Sequence, residues 1–296
     1  MRIGVTAPLA TGDAADGVVP SFEVTRDFAL RAETLGLDSV WVYDHLIFRF
    51  EGEPDEGLHE AWTTLAALAP VVPRVELGCL VFCASFRNPA LMAKMAGTLD
   101  DLSGGRLCLG LGCGWHEPEY RAFGFPFDHR VSRFAEDLEV TTRLLRGETV
   151  SLAGAYRTYA DAVLIPRPAR QPPILVAAKG LRMLDLTATW ADAWNTAWFG
   201  RVDDLLRRRS ADLDEACARV GRDPATIRRT VGLRVHEPGR LGDDARGTDA
   251  DAAGLADLFD ELAGAGFDDA LIWSLAKSPA ALERIAEARG LHVARS

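Results

Sequence analysis

The dipeptide Asp44-His45 closes the β-rich run Trp41-Val42-Tyr43, so a carboxylate and an imidazole fall together at the end of a candidate strand. An imidazole exchanges protons near neutral pH, and a carboxylate beside it can orient it or raise its basicity. A helix cap at Asp44 with His45 on the surface would leave the same trace. A second constellation is Gly112-Cys113-Gly114-Trp115-His116-Glu117. Glycines there let a flat ring approach the backbone, Trp115 can wall such a ring, and His116 can donate to it. The plainer alternative makes Trp115 a plug under a long loop and leaves His116 exposed. No second histidine follows at helical spacing, so no metal site is expected. A third is Ala177-Ala178-Lys179-Gly180, small residues and a lysine running into a helix, where free backbone N–H groups and a point charge suit a phosphate. Cys83 reads as a packed thiol, because free cysteines are among the most buried residues. Arg87 can meet an anion or sit in a salt bridge.

These groups need a scaffold that brings strand ends together. Apolar runs at 2–8, 39–43, 75–82, 106–112, 173–178, 192–196, 227–235 and 269–274 alternate with amphipathic stretches, the pattern of parallel strands joined by crossover helices. A helix is expected after Ser21, with Val24, Phe28, Ala32 and Leu35 on its inner face and Gly36 ending it. Another follows Asn88-Pro89, with Leu91, Met95, Leu99 and Leu102 as its inner stripe. The last helix opens at Ser278-Pro279 and is expected to close at Gly290. Residues 149–170 break the rhythm and read as a β-hairpin insertion, either a flap beside the active site, a dimer contact or a surface decoration. No Gly-x-Gly-x-x-Gly follows the first strand, which disfavours an open nucleotide-binding sheet. The expected fold is therefore an α/β (β/α)8 TIM barrel over 1–296, with the hairpin between the fourth and fifth βα units and the chemistry at the C-terminal strand ends.

Composition bounds the partners. A net charge of −10 argues against nucleic acid. The five cysteines lack paired zinc spacing and read as free thiols of a reducing compartment. No apolar stretch of about 18 residues or signal-peptide core occurs, so a cytoplasmic protein without a membrane partner is expected.

The ordered motifs Trp41-Val42-Tyr43-Asp44-His45, Arg87-Asn88-Pro89, Thr98-Leu99-Asp100-Asp101-Leu102-Ser103-Gly104-Gly105-Arg106, Gly110-Leu111-Gly112-Cys113-Gly114-Trp115 with Glu119-Tyr120, and Ala191-Asp192-Ala193-Trp194-Asn195 span nearly the whole chain. Their order resembles the luciferase-like monooxygenase superfamily, especially its branch of coenzyme F420-dependent oxidoreductases. The resemblance implies a homodimeric barrel holding F420, an 8-hydroxy-5-deazaflavin, or alternatively FMN, and acting on a small organic substrate. It implies a non-proline cis peptide near Leu80 to Phe82. It implies a cofactor site of Asp44, Val81, Cys83, Gly112, Cys113, Gly114, Trp115, Ala177, Ala178, Lys179 and Gly180. Asp44 would contact the cofactor and orient His45, and His45 or His116 would carry the proton. Sugar-phosphate dehydrogenases of that branch carry a glutamate and an asparagine where this chain has Cys113 and His116, and Lys179 replaces a small residue, so their substrate does not carry over. Three functions follow as expectations: hydride transfer with F420, oxygenation with reduced FMN, or flavin binding without catalysis.

Overall fold

The computed structural model describes residues 1–14 and 16–295. In chain order its strands are β1 (Arg2–Thr6), β2 (Ser39–Val42), β3 (Glu76–Cys79), β4 (Phe82–Cys83), β5 (Leu107–Gly112), β6 (Val150–Ala153), β7 (Thr158–Ala162), β8 (Ile174–Ala177), β9 (Ala193–Phe199), β10 (Arg228–Val235) and β11 (Asp269–Ser274). The helices are α1 (Phe22–Thr34), α2 (Ala61–Leu68), α3 (Pro89–Leu102), α4 (Glu117–Phe123), α5 (Arg130–Leu145), α6 (Leu181–Trp190), α7 (Asp204–Val220), α8 (Ala252–Gly264) and α9 (Pro279–Arg295). All residues of β2 and β5 are buried, as strands covered on both faces require. Each stave pairs in parallel with the next, β11 returns to β1, and β3 meets β5 through Leu77 opposite Leu107, which closes an eight-stave barrel.

The third stave departs from the continuous strand expected over 75–82. It breaks between β3 and β4, at the non-proline cis peptide Leu80–Val81 that the resemblance implied. A second non-proline cis bond, Ala197–Trp198, lies in β9 and was not anticipated. The break explains two glycines of β5. A Cβ on Gly110 would collide with the Cys79 carbonyl oxygen, and one on Gly112 would lie 2.6 Å from a Val81 methyl. The room left by these glycines is therefore taken by the bulged stave.

Two helices bury part of the face expected, Phe28 and Ala32 in α1 and Leu99 in α3, and are rotated so that small residues join it. In α1 the buried residues include Thr25, Phe28, Ala29 and Ala32, while Val24 faces solvent. In α3 they include Met92, Ala93, Ala96 and Leu99, while Leu91 is 54% and Leu102 49% exposed. Alanines let a helix lie close on the strand layer, and that closeness outweighs the bulk of an outward leucine. The last helix runs through Gly290 to Arg295, because one glycine costs only about 1 kcal/mol in a helix whose other residues are already packed.

The hairpin β6–β7 is present, antiparallel, and fastened to the outer helices. Glu136 of α5 accepts from the Ala155, Tyr156 and Arg157 backbone N–H groups at 2.7, 3.1 and 2.9 Å. Lys94 of α3 donates to the Ile165 carbonyl.

At the opposite end from the strand C-termini, Arg106 donates to the carbonyls of Ser103 at 2.6 Å, Val75 at 2.8 Å and Ala69 at 2.8 Å. Asp100 accepts from the Leu107 N–H and from Arg170, and Ser103 Oγ donates back to the Asp100 carbonyl. The Leu-Asp-Asp-Leu-Ser-Gly-Gly-Arg run is thus a clamp joining α2, α3, β3 and β5.

Candidate active site

His45 follows β2 at the mouth of the barrel. Its Nδ1 lies 3.0 Å from Glu119 Oε1, and the other carboxylate oxygen of Glu119 accepts from the Leu46 N–H at 2.9 Å. Glu119 is buried in the first turn of α4. A carboxylate held in this way fixes the Nδ1–H tautomer and leaves Nε2 as the exchangeable nitrogen. The ring stands 4.3 Å from Phe48 and edge-on to Trp115 at 5.5 Å, centroid to centroid. Trp115 is 58% exposed and walls the approach.

Asp44 is not the orienting group. Its buried carboxylate accepts from Arg87 at 2.6 and 3.0 Å and from the Cys83 N–H at 2.9 Å, and Arg87 also pairs with Glu60. Arg87 therefore takes the salt-bridge alternative, stacked near the rings of Trp62 and Phe82. Asp44 turns toward the β4 side because that guanidinium is there to pair with it.

Cys83 is a packed thiol, as the residue type predicts. Its buried thiol sits 2.9 Å from Tyr120 Oη, and burial pushes its pKa up to about 12. Gly114, at φ +70°, has no room for a side chain beside Tyr120 and Cys83. Cys113 is half-buried near Arg130, which donates to the Gly114 carbonyl. His116 is buried instead of exposed. Its Nε2 accepts the Arg49 N–H at 3.0 Å, and burial holds its imidazole below its ordinary pKa. It pins the loop after His45 as a neutral acceptor. Val81 and Trp198 are partly buried and each packs against the inner core cluster.

At the same end of β2 as His45, with Phe48 between the two rings, sequence reading missed a second polar group. Tyr43 donates to Asp13, whose Oδ2 also accepts from the Leu9 and Ala10 N–H groups at 2.7 and 3.0 Å. Lys277, just past β11, donates to the Thr6 carbonyl at 2.9 Å, and burial lowers its pKa to about 8. The residues come from opposite ends of the chain, and only barrel closure unites them.

The expected phosphate turn is open. Gly180 precedes α6 with no side-chain cap, and a Cβ there would meet nothing within 4 Å. Lys179 is exposed, Ala178 buried and Ala177 intermediate. Among the described residues the Lys179 ammonium has no hydrogen bond or ion pair. Uncapped N–H groups and a free ammonium suit the anionic tail of a flavin or deazaflavin, and the aromatic wall and His45 suit its ring. Groups of His, Cys, Asp and Glu able to hold a metal are absent among the described residues.

A family model described as luciferase-like monooxygenase matches residues 1–237. The chain belongs to this family. Among curated members, a pyrimidine monooxygenase RutA of Methylorubrum extorquens is 34% identical over 241 residues, which is 75% of this chain and 64% of the relative. An F420-dependent glucose-6-phosphate dehydrogenase of Amycolatopsis mediterranei is 36% identical over 161 residues, 52% of this chain and 47% of the relative. The chain thus spans less than two thirds of either relative's length. A solved F420-dependent secondary alcohol dehydrogenase, in complex with an F420-acetone adduct, superposes with a TM-score of 0.81 at 18% identity, covering 98% of each chain. That likeness shows the barrel fold. No helix among the described residues is long and apolar enough to cross a membrane.

Proposed function

We propose that this luciferase-like protein is an oxidoreductase that works with a deazaflavin of the coenzyme F420 type on a small organic substrate, with His45 exchanging the accompanying proton. The observation that carries this reading is the His45–Glu119 pair at the mouth, 3.0 Å apart, with Nε2 unengaged among the described residues. The deazaflavin supplies hydride transfer, and the protein supplies position and protons. Ala177, Ala178, Lys179 and Gly180 hold the phosphate end, Val81 and Trp115 flank the ring, and Glu119 keeps His45 in one tautomer. Buried His116 fixes the loop that carries Arg49 and keeps water from one side of His45. Two relatives support the cofactor class by their names, one an F420-dependent dehydrogenase by sequence and one an F420-dependent dehydrogenase by fold.

The second reading, a monooxygenase using reduced FMN and oxygen, is favoured by the longer sequence match to the pyrimidine monooxygenase. Equilibrium dialysis of the pure protein against oxidised F420 and FMN separates the two. Retention of F420 over FMN is expected. Preferential retention of FMN moves the assignment to the second reading, and retention of neither overturns both.

A further inference from the structure

Side chains of β11, β1 and β2 alternate between the barrel interior and the helix layer. Trp41 and Leu271 fill the interior, and glycines make room for the indole: a Cβ on Gly4 would lie 2.9 Å from Trp41 Nε1, and one on Gly78 would collide with its ring. Two residues further along, the faces of Gly4 and Leu271 carry Thr6 and Trp273, which form the layer above this plug at the floor of the mouth. The Trp273 ring stands 4.8 Å from Tyr43 and, edge-on, 5.3 Å from Trp198, centroid to centroid.

Lys277 leaves the segment after β11 and reaches down to this layer. Its ammonium donates to the carbonyl and the hydroxyl of buried Thr6 and lies 5.1 Å from the centroid of Trp273. An ammonium has three donors, and the third has no partner among the described residues. No carboxylate there pairs with it; Asp13 acts on it from further off and is already engaged by Tyr43 and by the Leu9 and Ala10 N–H groups. A cation withdrawn from water costs free energy until a counter-charge answers it. A long lysine stem ordinarily carries its charge out to solvent, whereas Thr6 holds this one at the floor.

We infer, on the oxidoreductase reading proposed above, that Lys277 determines substrate specificity: its spare donor receives the carboxylate of a flat, apolar substrate whose body lies against Trp273. One ammonium balances one negative charge, and Asp13 nearby disfavours a dianion such as a phosphate monoester. The neighbouring surfaces are the rings of Trp273, Tyr43 and Phe48, so the rest of the ligand meets aromatic faces. β11 and β2 are separated by β1 alone, a gap of about 10 Å at ordinary strand spacing, so a ring carrying a carboxylate reaches from Lys277 toward His45.

Calorimetric titration of the full chain with benzoate and with benzamide, its neutral isostere, tests this, without cofactor and with F420 or FMN. The wild type is expected to bind benzoate at least roughly tenfold more tightly than benzamide. Lys277→Met should abolish that preference and leave benzamide binding unchanged, and Lys277→Arg should restore most of it. Removing a lysine that only braced Thr6 would weaken both probes alike. In the wild type, benzoate but not benzamide should slow reductive methylation of Lys277, read by mass spectrometry, and this measurement decides the matter if Lys277→Met does not fold. Equal affinity of the wild type for the two probes, binding of neither, or a preference that survives Lys277→Met overturns the assignment, and F420 or FMN retained alongside leaves the oxidoreductase reading standing. A Lys277-dependent preference for benzoate with neither cofactor retained keeps the carboxylate site and overturns that reading.

Discussion

Among the described residues His45 has one nitrogen committed to Glu119 and one free, and this division makes the proposed role testable. His45→Ala is expected to lower turnover by about two to four orders of magnitude with cofactor affinity retained, measured by steady-state kinetics beside equilibrium dialysis. Glu119→Gln should cost turnover roughly tenfold or more without weakening cofactor binding, with partial recovery in Glu119→Asp, because its task is to orient the imidazole. Asp44→Ala belongs to a different class. It strips Arg87 of two hydrogen bonds in a buried site, so urea unfolding should show a loss of about 3 kcal/mol. The Asp44-His45 dipeptide is legible in the sequence, and so is its place at a strand end. Which carboxylate faces the imidazole is not, because Glu119 stands 74 residues away and reaches His45 only through the barrel's closure.

Among the elements, strand positions follow from runs of apolar residues, and the eight staves lie where those runs fall. The break in the third stave lacks a signal of its own within residues 75–82. Its trace is in β5, where Gly110 and Gly112 leave room for it. Gly110→Ala should therefore lower stability by about 1 to 3 kcal/mol through overpacking, read as a drop in Tm. In α1 and α3 Phe28, Ala32 and Leu99 face inward as the spacing predicts, while Val24, Leu91 and Leu102 face out because the packing distance favours the neighbouring small residues. The turn into α6 was read from four residues, and its openness bears on exchange: bound FMN or F420 is expected to protect the backbone N–H groups of 178–182 from deuterium. Lys179→Ala should weaken that cofactor by about 1 to 3 kcal/mol, and equal affinity would make the ammonium a bystander.

At the scale of the whole molecule, charge is buried at the end of the barrel opposite the mouth. Asp269 lies 3.7 Å from Arg2 and from Arg228 with no hydrogen bond on either oxygen, and burial raises its pKa from 3.8 to about 6. A carboxyl with a raised folded pKa favours the folded state below its unfolded pKa, and the advantage is lost as pH rises through the folded value. Between pH 4 and 7 the wild type should lose on the order of 2 to 3 kcal/mol relative to Asp269→Asn, in urea titrations across that range. The clamp around Arg106 lies at this same end, fastening α2, α3 and two staves through three carbonyls. The most recognisable stretch of the chain is thus foundation and not workshop. Selection for a new substrate can rewrite the loops at the mouth and leave residues 98–106 untouched, so descent is recorded at one end of the barrel while reactions diverge at the other. For an engineer the same separation is practical: libraries confined to the segments after β2, β5, β9 and β11 vary the chemistry while the clamp keeps the barrel closed.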